Sequence, residues 1–519
     1  MCHAACSSRW YKEDADEEVY SIVEKKQAKV LGAAEEGFTI EPAAETLRQR
    51  LVTGPPPEEP IRLDLVGSLE TAAENSRDFA NARESVYLAA LDLTLARHNF
   101  AIRYFDSGTA ELVADDGEDT ETGTVDNAFS IVRNLETGGA IALALSTSLF
   151  RIFSSPTDNA AMSTLSLAIT QPILRGAGKV VATENLTQAE RDAVYAVRSF
   201  ERFKQDLSVS VASEYFRVLQ AADAVENERA NYENARIALV RTQSLSAAGR
   251  LPQFQVDQAK QAELLARESV VDAEENFNSR LDSFRVTLGL PPDKNVVLDE
   301  GDLDRLAEAG LKAVDVAPER AVSEALENRL DLMNAYEQAE DAVRRIAVAE
   351  NALEMGLDLI AGASWDTSNN RPAAFEFGEG RYSIGVEFDL PLDRKAQRNA
   401  YRASIIEAQR RQRDAEEAED SVKLDVRDAL RRLRQARESY EIQKVSVDLA
   451  TTTIKSTTLF LDAGRADTRD LLDANSDLVR AKNSLTQALV THEITLLELS
   501  RDMGTLQVDD TGLSYEIKL

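Results

Sequence analysis

The chain has 519 residues, and 59 Lys and Arg against 90 Asp and Glu leave a formal charge of −31. That balance excludes the basic face on which nucleic-acid and anionic-lipid binding depend. Three His and two Cys, both Cys at the N-terminal end, leave little material for a His/Cys metal centre or a thiol nucleophile and rule out a disulfide scaffold.

Residues 1–60 read as a leader or linker. The opening Met1-Cys2-His3-Ala4-Ala5-Cys6-Ser7-Ser8 has no basic n-region and no apolar h-region, so it is no secretory signal as written. His3-Ala4-Ala5-Cys6 places small residues before a cysteine, as the end of a bacterial lipoprotein signal does, although His stands where a Leu-like residue is usual. With a start upstream of Met1, Cys6 is the expected lipidation site; otherwise the segment is an ordinary terminus. The stretch that follows is polar and acidic and closes on Gly54-Pro55-Pro56-Pro57, an extended segment with a short helix near 14–30.

From there the chain is duplicated. Ala248-Gly249-Arg250 and Ala463-Gly464-Arg465 lie 215 positions apart, each between long helical stretches. Val211, Tyr215, Val218 and Val225 map at the same offset onto Val426, Leu430, Leu433 and Tyr440. Gln171-Pro172-Ile173-Leu174 and Leu390-Pro391-Leu392 precede the two stretches at nearly the same spacing. The expected division is a first repeat over 61–290, a linker over 291–317, a second repeat over 318–505 and a tail over 506–519. A period this long marks two copies of one large unit rather than a solenoid.

Each copy repeats one order. A helix (66–97, then 319–352) leads to a β-like region (100–173, then 356–392). A very long helix follows (182–247, then 397–462), then the Ala-Gly-Arg turn and a closing helix (252–288, then 467–504). Gly after the last helical residue stops a helix by accepting a left-handed backbone, and Pro252 suits the start of the next one. Val422, Val426, Ala429, Leu433, Ala436 and Tyr440 step 4-3-4-3-4, a heptad seam. Val211, Tyr215, Val218, Ala222 and Val225 repeat it. A helix of roughly 66 residues is about 100 Å long, too long for a globule, so the pattern predicts antiparallel coiled-coil hairpins with Ala-Gly-Arg at their tips.

The strands alternate with period two. Ile384, Val386, Phe388 and Leu390 alternate with Ser383, Gly385, Glu387 and Asp389; Leu165, Leu167 and Ile169 with Ser166, Ala168 and Thr170. Ile141, Leu143, Leu145 and Leu149 alternate with Ala142, Ala144, Ser146 and Ser148, and Leu357, Leu359 and Trp365 oppose Asp358, Gly362 and Ser364. Such alternation gives a sheet one apolar and one polar face. The expectation is two strands per copy, four per chain, with polar loops over 106–138 and 366–380. Four strands cannot enclose water, but three chains would supply twelve, within the range of outer-membrane barrels. No run of 18 apolar residues offers a transmembrane helix, and that says nothing against such strands. Trp365, Phe150 and Tyr382 are candidates for interfacial girdles.

This layout resembles the TolC family of outer-membrane efflux channels, over about 61–505. The runs that carry the resemblance are Leu63-Asp64-Leu65 through Ala72, Asn75 and Arg83, then Gln171-Pro172-Ile173-Leu174-Arg175-Gly176, and the second tip from Ala463 to Ala474. The resemblance implies a mainly α fold with a β-barrel portion. Long hairpins would form an α-barrel, and a homotrimer would close a twelve-stranded barrel in outer-membrane lipid above a periplasmic helical tunnel. It implies a passive exit duct of a tripartite efflux or type I secretion system in a Gram-negative-type bacterium. The partners would be a periplasmic adaptor (membrane fusion protein) and an inner-membrane pump, with no catalysis, cofactor, metal or nucleic acid. The alternative reading is a soluble coiled-coil scaffold, which has no use for alternating strands at matching places in both copies.

Asp470 and Asp473 share a helix face beyond the second tip and match the family's positions for an acidic ring at the periplasmic constriction. The first copy has Gln255 and Gln258 there. Crowded carboxylates attract cations, while an acidic helix N-terminus alone would stabilise the dipole, the role expected of Asp467. Arg465 and Arg469 are candidate ties of the closed end. Gly249, Arg250, Gly464 and Arg465 form the tips an adaptor would meet. For catalysis, His3, His98 and His492 are scattered, Asp115-Asp116 reads as a solvated loop, and Arg175-Gly176-Ala177-Gly178-Lys179 lacks the full phosphate-loop pattern.

Overall fold

The computed structural model describes residues 7–32, 38–41, 45–54, 60–115, 120–153, 159–299, 301–312, 316–367, 370–509 and 512–515. Cys6 lies outside them. The helices are α1 (Ser8–Leu31), α2 (Leu47–Thr53), α3 (Leu65–Asn75), α4 (Arg77–His98), α5 (Lys179–Ala182), α6 (Glu184–Ala247), α7 (Gln253–Thr287), α8 (Gly301–Ala309), α9 (Pro318–Asn328), α10 (Leu330–Asn351), α11 (Lys395–Asp462) and α12 (Thr468–Asp502). The strands are β1 (Ile61–Leu63), β2 (Ile102–Asp115), β3 (Thr120–Asn134), β4 (Ala140–Ile152), β5 (Asn159–Pro172), β6 (Val296–Leu298), β7 (Gly356–Asp366), β8 (Arg381–Asp389), β9 (Leu506–Asp509) and β10 (Gly512–Tyr515). The chain divides into two compact units. One comprises 1–39, 85–198 and 333–416, the other 40–84, 199–332 and 417–519. The long helices α6 and α11, of 64 and 68 residues, contribute to both.

The first unit holds one antiparallel sheet in the order β2-β3-β4-β5-β7-β8. It has six strands where four were expected. The correction lies in 106–138, which is not a polar loop: β2 and β3 form a long hairpin that pairs with β4. Asp106, Gly108 and Asn127 interrupt the apolar alternation of these two strands, so period two is diluted there. The expected strands over 140–150, 163–170, 357–365 and 382–390 all form.

The N-terminal helix is longer than expected and is not an extended leader. Val19, Ile22 and Val23 of α1 are buried, the Tyr87 hydroxyl donates to the Asp16 carboxylate at 2.7 Å, and Glu190 receives both Lys26 and Arg97. The same unit contains a polar knot on Asp341, whose side chain is 3% exposed. It accepts from Tyr195 at 2.7 Å and pairs with Arg191 and with Arg344 at 2.8 Å. A buried carboxylate is tolerable only when its lone pairs are filled in this way. Burial first, then the bond to Asp341, push the Tyr195 phenol above its ordinary range.

The second unit is built on the predicted seams. Val422, Val426, Ala429, Leu433 and Ala436 are buried, as are Val211, Tyr215, Val218 and Val225; Ala222 and Tyr440 are half-buried. Tyr215 packs on Phe216 and Phe284 in one cluster. Ala321, Ala325 and Leu332 join Leu496, Leu499 and Met503 in another. The expected single helices over 66–97 and 319–352 are each broken once, at Ser76 and at Arg329, where the backbone turns extended. The break at Arg329 is held by ion pairs to Asp331 at 2.6 Å and Asp425 at 2.9 Å. The segment 291–317 is not bare linker: β6 pairs in parallel with β1, and α8 follows it.

Candidate functional site

The strand register decides what the sheet can do. Reading across all six strands, Tyr104, Ile131, Leu143, Leu167, Ala363 and Tyr382 form one row on one face. The rows beside it are Ile102, Arg133, Ile141, Ile169, Ala361 and Ile384, and Asp106, Phe129, Leu145, Leu165 and Trp365. On the opposite face the row is Phe105, Ser130, Ala144, Ser166, Ser364 and Arg381, followed by Ser107, Ala128, Ser146, Thr164 and Asp366. The alternations seen strand by strand therefore merge into one apolar and one polar surface. On β7 and β8 the apolar positions run from the Leu357–Phe388 pair to Trp365, eight steps along the strand. At roughly 3.4 Å per residue this is about 27 Å, close to the apolar band of an outer-membrane barrel.

Trp365 and Tyr382 lie on the apolar face, 6.0 Å apart edge to face, and the Phe377 ring lies 5.9 Å from Trp365. Phe150 falls on the polar face, between Thr124 and Ala160. The residues that sequence reasoning missed are the apolar-face positions of β2 and β3, above all Tyr104, Phe129 and Ile131. Their signal was the short alternating run Phe129-Ser130-Ile131.

The two tips, both in the second unit, fold alike. Gly249 and Gly464 have φ of 72° and 69°. The amides of Arg250 and Arg465 reach back to the carbonyls of Leu245 and Phe460 at 2.9 and 2.8 Å, while those of Gly249 and Gly464 reach Ser246 and Leu461. This six-to-one closure needs a left-handed residue, hence glycine in both copies. Arg250 and Arg465 are exposed. Leu472 packs on Leu239, Val256 and Ala259, which brings the start of α12 against α6 and α7.

At the start of α12, Asp467 occupies the N-cap position and Asp470 accepts its backbone N–H at 2.9 Å. Asp470 therefore performs part of the capping expected of Asp467 alone. Asp473 lies 3.6 Å from Arg469, one turn earlier on the same helix, and both side chains are more than two-thirds exposed. Among the described residues Arg465 makes no ion pair. Among them, too, no group of three or more His, Cys, Asp or Glu is placed to hold a metal ion, and no helix is long and apolar enough to cross a membrane.

Residues 321–505 match the outer membrane efflux protein family. The chain is 26% identical over 335 residues to outer membrane protein TolC of Vibrio cholerae serotype O1, covering 63% of this chain and 74% of that protein. The chain is similar to the TolC-like outer membrane efflux proteins. It is also 24% identical over 345 residues to TolC of Escherichia coli K12, covering 63% of this chain and 66% of that one. The fold is that of solved channels of the group. The Campylobacter jejuni CmeC outer membrane channel superposes with a TM-score of 0.62 over 85% of each chain at 13% identity. The outer membrane protein VceC of Vibrio cholerae gives 0.60 over 85% of this chain and 96% of that one at 15%. Like them, the chain combines an antiparallel sheet with long helical hairpins.

Proposed function

We propose that the chain is the outer-membrane exit duct of a tripartite efflux or type I secretion system, working as a homotrimer that conducts substrate passively to the exterior. The observation that carries this reading is the two-faced sheet. Its apolar surface is as tall as a hydrocarbon core, its polar surface suits water, and one chain alone leaves both open. A periplasmic adaptor fed by an inner-membrane pump would engage the exposed, identically folded tips at Gly249-Arg250 and Gly464-Arg465. Asp470 and Asp473 would gather near the axis as a cation-attracting ring, with Arg465 and Arg469 restraining the closed state. Nothing in this scheme asks the chain for catalysis or an energy source.

Fractionation tests the reading. The expected result is a heat-resistant trimer in detergent-extracted outer membrane that conducts in planar bilayers. A soluble, elongated dimer would replace the duct with the scaffold reading.

A further inference from the structure

The charge of −31 argues against a basic surface, and the structure corrects that for one short segment. Over 394–413, which follows β8 and opens α11, seven Lys and Arg stand against one Glu. Over 179–198, the matching stretch of the first copy, three basic residues stand against three acidic ones. Pairing differs as well. In the first copy Lys179 pairs with Glu136, Glu184 with Arg344, and Glu190 with Lys26 and Arg97. In the second, Arg394, Lys395, Arg398 and Arg402 are exposed and make no ion pair among the described residues. The carboxylates around them are engaged elsewhere: Asp393 accepts the Lys395 amide, Asp389 pairs with Arg175, and Glu354 accepts from Asn351.

Cations at this place cost the helix, because the N-terminal end of its dipole is already positive. α6 opens on Glu184, whereas α11 has no acidic residue in its first turn. Arg394, Arg398 and Arg402 recur every four residues with Lys395 beside them, so the four form one stripe. Position along the chain supplies the compensation. The apolar series of β8 steps on by two through Phe388, Leu390 and Leu392, all exposed, and then gives way to Arg394. The Arg394 Nη1 donates to the Leu353 carbonyl at 2.5 Å. Leu353 lies four residues before Leu357, whose pair with Phe388 ends the apolar span, so the two levels differ by at most about 14 Å. From Lys395 to Arg402 the helix adds about 10 Å. The stripe therefore starts where the apolar band stops. A headgroup layer of roughly 5–8 Å lies beyond a hydrocarbon core, and long Lys and Arg side chains reach back to it from helix ends.

We propose that Arg394, Lys395, Arg398 and Arg402 bind the anionic phospholipid headgroups of the leaflet that faces the periplasm. Charge complementarity and continuity with the apolar face of the sheet select this partner. The proposal rests on the duct reading and adds to it a lipid contact that fixes the depth of the sheet.

Two triple variants of the full chain test it. One combines Lys395→Gln, Arg398→Gln and Arg402→Gln and leaves Arg394 with its backbone bond. The control combines Arg410→Gln, Arg411→Gln and Arg413→Gln. It removes the same charge roughly 16–22 Å further along α11, about two Debye lengths away at physiological salt. Both are refolded into vesicles of phosphatidylcholine alone and of phosphatidylcholine with one third phosphatidylglycerol, and urea titration gives each folding equilibrium. A cation at an anionic surface is worth roughly fivefold. The ratio of the control's constant to the upper variant's should therefore open to about 100-fold on adding phosphatidylglycerol at about 0.15 M salt, and close again at about 1 M. A ratio that is the same in both vesicles would overturn the lipid contact; if it comes with loss of the upper variant's trimer in neutral detergent, the stripe is a contact between copies. Failure of the unaltered chain to insert into either vesicle would remove the duct reading itself, and this inference with it.

Discussion

Ile169 is the position at which lipid and water give opposite answers. It lies on β5 in the apolar row that includes Ile102, Ile141, Ala361 and Ile384, at the middle of the 357–365 span. In the single chain it is 38% exposed. If that face meets hydrocarbon, Ile169→Arg places a cation near the bilayer midplane at a cost of about 2–4 kcal/mol per copy, roughly 30- to 700-fold in the folding equilibrium. If that face meets water, the same exposed position should tolerate Arg within about 0.5 kcal/mol. The partner variant is Ser146→Arg, in the polar row with Ala128, Thr164 and Asp366, where a barrel predicts a cost under about 1 kcal/mol. The assay is urea titration of protein refolded into phosphatidylcholine vesicles, followed by the gel shift between folded and heat-denatured forms. Equal midpoints for the two variants, or a larger loss in Ser146→Arg, would refute the assignment of faces.

Other outcomes follow from named contacts. Arg329→Ala removes the cation that holds the bend between α9 and α10 to Asp331 and Asp425. The expected loss is about 2–3 kcal/mol, read by chemical denaturation, since both carboxylates regain water. His492 is buried, and burial first, then repulsion from Arg437 and Lys312, holds its imidazole below the ordinary value of 6.5. The unfolded chain then binds the proton more readily than the folded one, so stability falls as pH drops through about 6.5. His492→Gln should flatten that decline in thermal melts taken between roughly pH 8 and 5, and an unchanged slope would remove His492 as its source. At the second tip, Arg465→Ala with Arg469→Ala should raise single-channel conductance. Asp470→Asn with Asp473→Asn should lower cation-over-anion selectivity; a loss of helix stability alone would leave Asp470 as a cap.

Much of the fold was legible because long-period features dominate it. The Gly249 and Gly464 turns, the heptad seams through Val218 and Leu433, and the pure alternation of β8 each follow from a local rule whose signal repeats over many residues. The β2–β3 hairpin was not legible, because Asp106, Gly108 and Asn127 sit among its apolar positions and long-range pairing with β4 outweighs that weak local pattern. The breaks at Ser76 and Arg329 were also missed. No Pro or Gly marks them, and at Arg329 the stabilising partner, Asp425, lies nearly a hundred residues away. Asp470 and Asp473 were singled out as gate candidates by the resemblance alone, and the capping bond of Asp470 needed the geometry of α12.

The central claim is that identical copies complete one another around water. Native mass spectrometry of the detergent-extracted outer-membrane particle tests it most directly: the account predicts the mass of three chains, and a stable particle with the mass of one would contradict it.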